Sequence, residues 1–243
     1  MRSVVRQLCW PLLLLCVACA SGLWPFAGPS APVDGAAAGL DDSQIVAGLR
    51  EALAQGAMRA VDELGRPDGF WKDPSVRIPL PDPLAGAEKT LRQFGQGNKL
   101  DSFQLTLNRA AENAVPQVAI ALGDAVRQMD IRDARALLDG PADAATQYFR
   151  RVSGASLRDR MLPIVQNATA GVGVTQSYKK LAGQIGPWLR PSGKSISDLD
   201  GYVTDKALDA LFAKIAAEEA AIRQNPAARG TELLRAVFGT PPR

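Results

Sequence analysis

The chain holds three cysteines, Cys9, Cys16 and Cys19, and no histidine at any of its 243 positions. Everything after Cys19 must therefore fold without a disulfide, so packing alone has to hold it together. The same absence removes chemistry: the usual zinc sites and the Ser-His or Cys-His nucleophile pairs cannot be built from the later chain. The packing signal is helical. Ile45, Leu49, Leu53, Ala57, Ala60 and Leu64 recur at steps of three and four, and so do Leu100, Phe103, Leu107, Ala110 and Ala114. Leu208, Leu211, Phe212, Ile215 and Ile222 share one face of a later helix. No alternating stretch is long enough to build a sheet. The expected class is all-α, a single multi-helix domain of about nine or ten helices.

Helix boundaries are marked by the usual residues. Asp41, Asp42 or Ser43 can cap the first helix, and Gly65 with Pro67 ends it. Gly95-Gln96-Gly97 breaks a second series, Pro116 opens another helix at its first turn, and Asp130 can cap a short one closed by Gly140. Pro141 starts a helix through Val152. A separate pattern runs from Ser156 to Val172 with Pro163 as a kink or a new start. Between Arg66 and Leu84, Val76-Arg77-Ile78-Pro79-Leu80-Pro81-Asp82-Pro83 alternates proline with other residues, which predicts an extended strap lying across helices.

The first 20 residues read as an export signal: Arg2 and Arg6, then an uncharged run from Leu8 to Ala20. That run, about 13 residues, is short of the roughly 20 needed to span a bilayer. Two cleavage readings stand. Val17-Ala18-Cys19 resembles the end of a bacterial lipobox, with Cys16 in place of the usual leucine, and predicts lipidation of Cys19. Ala18-Cys19-Ala20 is also an A-x-A site, whose cleavage after Ala20 would release a soluble protein. Ala20 after the cysteine resembles lipoproteins sent to the outer membrane. Residues 21–39 are rich in Gly, Ala, Pro and Ser and read as a flexible linker, and 40–239 as the helical domain. The expected location is the periplasmic side of the envelope, with the membrane as a partner through Cys19.

Two of the 28 basic residues lie in the leader, leaving 26 against 25 acidic ones. That balance lacks the basic excess of a nucleic-acid binder. Catalytic signatures fail on their contexts. Gly193-Lys194-Ser195 has Trp188 where a phosphate loop requires glycine. Ser177-Tyr178-Lys179-Lys180 lacks the companion elements of S-x-x-K enzymes. Tyr202 and Lys206 have dehydrogenase spacing without a glycine fingerprint. Glu218-Glu219 reads as a solvent face. No metal and no cofactor is expected.

One segment, Asp139 to Arg151, stands out. Gly140 and Pro141 mark a helix start, whose exposed amides make a place suited to an anion. Asp143, Thr146, Tyr148 and Arg150 lie close by, and Arg109 and Glu112 are candidates to join them from a neighbouring helix. Two readings stand: a ligand or anion site, or a polar network that pins helices together.

Several stretches together resemble a known family. They are Ile78-Pro79-Leu80-Pro81 with Leu84, Asn108-Arg109-Ala110-Ala111-Glu112 with Ala114-Val115-Pro116, and Gly140-Pro141 with Asp143-Ala144-Ala145-Thr146 and Tyr148-Phe149-Arg150. Val203-Thr204 with Lys206-Ala207-Leu208-Asp209, and Asn225-Pro226 leading to Leu233-Leu234 and Val237-Phe238, complete the set. The wording resembles the bacterial envelope family known as domain of unknown function 4197, over roughly Leu40 to Gly239. The resemblance implies a single helical domain behind an export signal, often a lipoprotein signal, and carries no catalytic positions. Gly230 departs from the family pattern, which tends to have Thr there. The expected function is a binding or interaction module for an envelope protein or an apolar ligand. The alternative is a periplasmic hydrolase or transferase using Tyr, Arg and carboxylate side chains.

Overall fold

The first helix, α1 (Asp42–Leu64), starts where its cap residue dictates. The Asp41 carboxylate accepts the Gln44 amide at 2.7 Å, and the Gln44 side chain accepts the Asp41 amide at 3.1 Å, a reciprocal capping box. The computed structural model describes residues 39–82, 84–185 and 198–239. Cys19, the leader, the linker up to position 38 and Gly193-Lys194-Ser195 lie outside the described residues.

Eight more α-helices follow among the described residues: α2 (Leu84–Gln93), α3 (Gly97–Ala114), α4 (Ala119–Gln128), α5 (Ala134–Leu138), α6 (Ala144–Val172), α7 (Val174–Ile185), α8 (Leu199–Gln224) and α9 (Glu232–Gly239). No strand occurs among them, so the all-α class holds. Eight of the nine are eight residues or longer, and α5 is little more than one turn. Pro116 opens a short 3-10 turn, Val115–Val118, that leads into α4. Gly95, at φ 74°, makes the left-handed step between α2 and α3. Thr231 caps α9 by accepting the Leu234 amide at 3.2 Å.

The α6 helix departs from expectation. The patterns on either side of Ser153-Gly154-Ala155 join into one 29-residue helix that runs through Pro163. Proline removes one backbone donor and crowds the carbonyl four residues earlier. Pro163 lies on an exposed position of α6, where water can take the carbonyl of Asp159 that loses its partner. The helix ends at Gly173, φ 71°, whose amide bonds back to Ala170 and Thr169.

Helix α8 is the hub. It packs along α1 and α6 and touches α3, while α3 packs on α6 and α7, and α1 also meets α4, α5 and α9. Small residues on α1 allow the close approach: Gly48, Ala52, Gly56 and Ala60 are buried and recur once per turn. A Cβ at Gly48 would lie 2.6 Å from Val237 of α9, and one at Gly56 would lie 3.3 Å from Ile215 of α8. Between the helices the core is filled by side chains such as Phe70, Phe103 and Leu53. Phe149 of α6 meets Phe212 of α8 edge-on at 5.6 Å. Among the described residues no helix is long and apolar enough to cross a membrane.

Candidate functional site

Helix α6 starts at Ala144, three residues after the Pro141 start that the sequence suggests, and the chain itself fills the amides of its first turn. Glu219 of α8, fully buried, accepts the Ala145 amide at 3.0 Å, and the Thr146 amide and hydroxyl at 2.7 Å each. A carboxylate at a helix N-terminus is favoured by the unpaired amides and by the helix dipole. Its counter-charge is Arg223, one turn on, at 2.8 Å. Arg223 also donates to the Leu138 carbonyl at 2.6 Å and the Leu137 carbonyl at 2.8 Å. One ion pair thus satisfies the end of α5 and the beginning of α6 together. The expectation that Glu219 faces solvent is corrected. The signal was present: Glu219 sits four residues after Ile215 and three before Ile222, on the apolar stripe itself.

The remaining candidates in this segment are engaged within the chain. The Asp143 carboxylate makes no helix-cap bond and accepts from the Gln147 side chain at 2.8 Å. Tyr148 donates its hydroxyl to the Asp130 carbonyl at 2.5 Å and lies under the Arg151 guanidinium. Arg150 pairs with Asp209 and stacks over Phe212 at 5.4 Å.

Arg109 and Glu112 make no hydrogen bond with these residues; they hold the strap. The buried Glu112 carboxylate accepts the backbone amides of Phe70 at 3.1 Å and Trp71 at 3.2 Å. Arg109 bonds Glu112 and Asp68, each at 2.5 Å. These bonds raise the Arg109 pKa above its usual value, Glu112 contributing most, against the lowering effect of burial. Asp68 stands at φ 69°, a conformation few non-glycine residues adopt. Its carboxyl is held below the usual range, first by Lys72 and then by Arg109.

Asn108, one residue before Arg109 and fully buried, does for the strap what a neighbouring strand would do. Its side-chain oxygen accepts the Ile78 amide at 2.8 Å and its nitrogen donates to the Ile78 carbonyl at 3.1 Å. Gln104 donates to the same carbonyl at 3.0 Å, and Tyr202 of α8 donates to that of Pro79 at 3.0 Å. The strap is therefore stitched to α3 and α8 by side chains. Burial, with Asp82 adding to it, pushes the Tyr202 phenol up to about 12, so it remains a donor. In the sequence Asn108 stands in a family motif that gives it no role. Neither its burial nor that of Glu112 follows from the single stripe read for α3. Leu107 to Ala114 are buried on almost every side, so position on one stripe does not separate them.

Among the described residues no group of three or more His, Cys, Asp or Glu side chains is placed to hold a metal ion. What the arrangement defines is an all-α domain whose motif residues tie irregular chain and helix ends to the core. The family model described as "Protein of unknown function (DUF4197)" matches residues 39–239, and the chain belongs to that family. No curated protein and no solved structure matches the chain.

Proposed function

We propose that this chain is an exported protein held at the outer membrane by a lipid on Cys19. Its helical domain, on the periplasmic side, binds a partner rather than turning over a substrate. The observation that carries the binding half is the engagement of the chemistry-bearing candidates. Arg109, Glu112, Thr146, Tyr148 and Arg150 each spend their polar atoms on this chain's own backbone or side chains. An acid–base or nucleophilic role needs a group within hydrogen-bond reach of a substrate. These groups are already within reach of strap amides, a helix start, a backbone carbonyl and Asp209. The anchoring half rests on the charged start, the short apolar run and Val17-Ala18-Cys19.

Mass spectrometry of the natively purified protein tests both halves. The proposal predicts a mature N-terminus at Cys19 carrying acyl chains, and membrane release of Cys19→Ser. A mature chain beginning at Ser21, with Cys19→Ser fractionating like wild type, overturns the anchor. A turnover assay abolished by Tyr148→Phe or Arg150→Gln, with stability unchanged, overturns the binding reading.

A further inference from the structure

A cleft of about 240 Å³ lies between α4 and α6. Its floor is apolar, with Met129 and Leu157 nearly fully buried, and Val152 at its edge is half exposed. Gln128, Ser153, Ser156 and Arg160 also line it. The side chains of these four make no hydrogen bond or ion pair with the rest of the described chain. Helical serines commonly bond back to the preceding turn; Ser102 does so here, donating to Asn98 at 2.7 Å, and the two cleft serines do not. These uncommitted polar side chains stand around an apolar floor.

The chemistry narrows the occupant. Arg160 offers one planar fork of donors, which matches a carboxylate through two parallel hydrogen bonds. Asp130 also lines the cleft, its carboxylate paired with Arg132 at 2.9 Å. That second negative group disfavours a dianion such as a phosphate monoester. The volume falls below the roughly 300 Å³ at which ordinary ligand pockets begin, so the apolar part must be short. We infer that the α4–α6 cleft binds a monocarboxylate carried on a short apolar body. Arg160 takes the charge, the serines take the remaining lone pairs, and Met129 and Leu157 receive the apolar part. This deepens the binding-module reading and rests on it. The same chemistry comes from two sources, a short-chain fatty acid or the C-terminal residue of a peptide.

Calorimetric titration of the full chain separates them. Pentanoate is compared with pentanol, and N-acetylleucine with its amide. At least one of the two carboxylates saturates at one site, and its uncharged counterpart binds about tenfold weaker or less. Whichever carboxylate saturates identifies the source. Arg160→Gln loses about tenfold in carboxylate affinity, and Ser153→Trp, which fills the cleft, abolishes binding. Thermal unfolding of both variants establishes that they remain folded. Failure of both carboxylates to saturate the wild-type chain overturns the inference, and so does wild-type affinity in a folded Arg160→Gln. If the cleft fails while the natively purified protein still carries a bound ligand, the cleft assignment falls and the binding-module reading survives. If nothing binds and nothing co-purifies, both fall.

Discussion

The α5–α6 junction and the α4–α6 cleft use similar residue types to opposite ends. At the junction, Glu219, Thr146 and Arg223 are buried or nearly so, and their polar atoms meet backbone groups or each other. In the cleft, the side chains of Arg160, Ser153 and Ser156 make no hydrogen bond or ion pair among the described residues. The first arrangement costs desolvation and returns it only as long as every member stays bonded. The second contributes nothing to holding the helices together. A polar cluster at a helix start is thus no guide to a binding site until the bonds have been traced. Here the conspicuous cluster is bonded within the chain, and the uncommitted cleft donors lie further along the same helix.

The sharpest way to break this contrast is Glu219→Ala. It strips two helix-start amides of their acceptor and leaves Arg223 buried without its counter-charge. The expected loss is about 3–5 kcal/mol in denaturant unfolding. A loss below about 1 kcal/mol, as for an ordinary surface position, would return the junction to the status of an open site.

Asn108→Ala comes next. It leaves the buried Ile78 amide without an acceptor and the Ile78 carbonyl with Gln104 alone, and a loss of about 2–3 kcal/mol is expected. Because Asn108 grips the strap, limited proteolysis should cut between positions 77 and 82 before the helices are touched. Unchanged protease resistance would mean that the strap is held by packing alone.

A smaller effect is expected in acid. Lys214 and Ser75 hold the Asp73 carboxyl down to about 2, Lys214 contributing most, from an ordinary value of 3.8. A carboxylate whose folded pKa is depressed adds stability above its unfolded pKa and loses it as pH falls through the folded value. Stability should therefore decline between about pH 4 and pH 2, and Asp73→Asn should flatten that decline. An identical acid limb in the variant would remove Asp73 from the account.

The smallest effect belongs to the cleft. Arg160→Gln breaks no hydrogen bond or ion pair among the described residues and should change stability by less than about 0.5 kcal/mol. A loss comparable to that of Asn108→Ala would place Arg160 among the staples and erase the contrast.

Much of the fold was legible in residue order because local physics determined it. Asp41 caps α1, Gly65 ends it, Gly95 and Gly173 take left-handed steps, and the stripes of α1, α3 and α8 face the core. The continuity of α6 was not legible, since proline usually ends a helix and only its exposed position makes Pro163 tolerable. The polar staples were half legible. The segment at the start of α6 was singled out for its amides, but the carboxylate that fills them comes from 73 residues away. Spacing within one segment carries no information about such a partner. The α4–α6 cleft left no motif, because packing brings its lining together from two separate segments.

The measurement closest to the central claim is amide hydrogen exchange at Ala145, Thr146, Phe70 and Trp71. If Glu219 and Glu112 serve as internal staples, all four amides are protected in the native protein. Glu219→Ala should then accelerate the first pair and Glu112→Ala the second by more than either accelerates the amides of the helix interiors. Exchange of the wild-type Ala145 and Thr146 amides at the rate of exposed backbone would contradict the claim and leave the helix start open for a ligand.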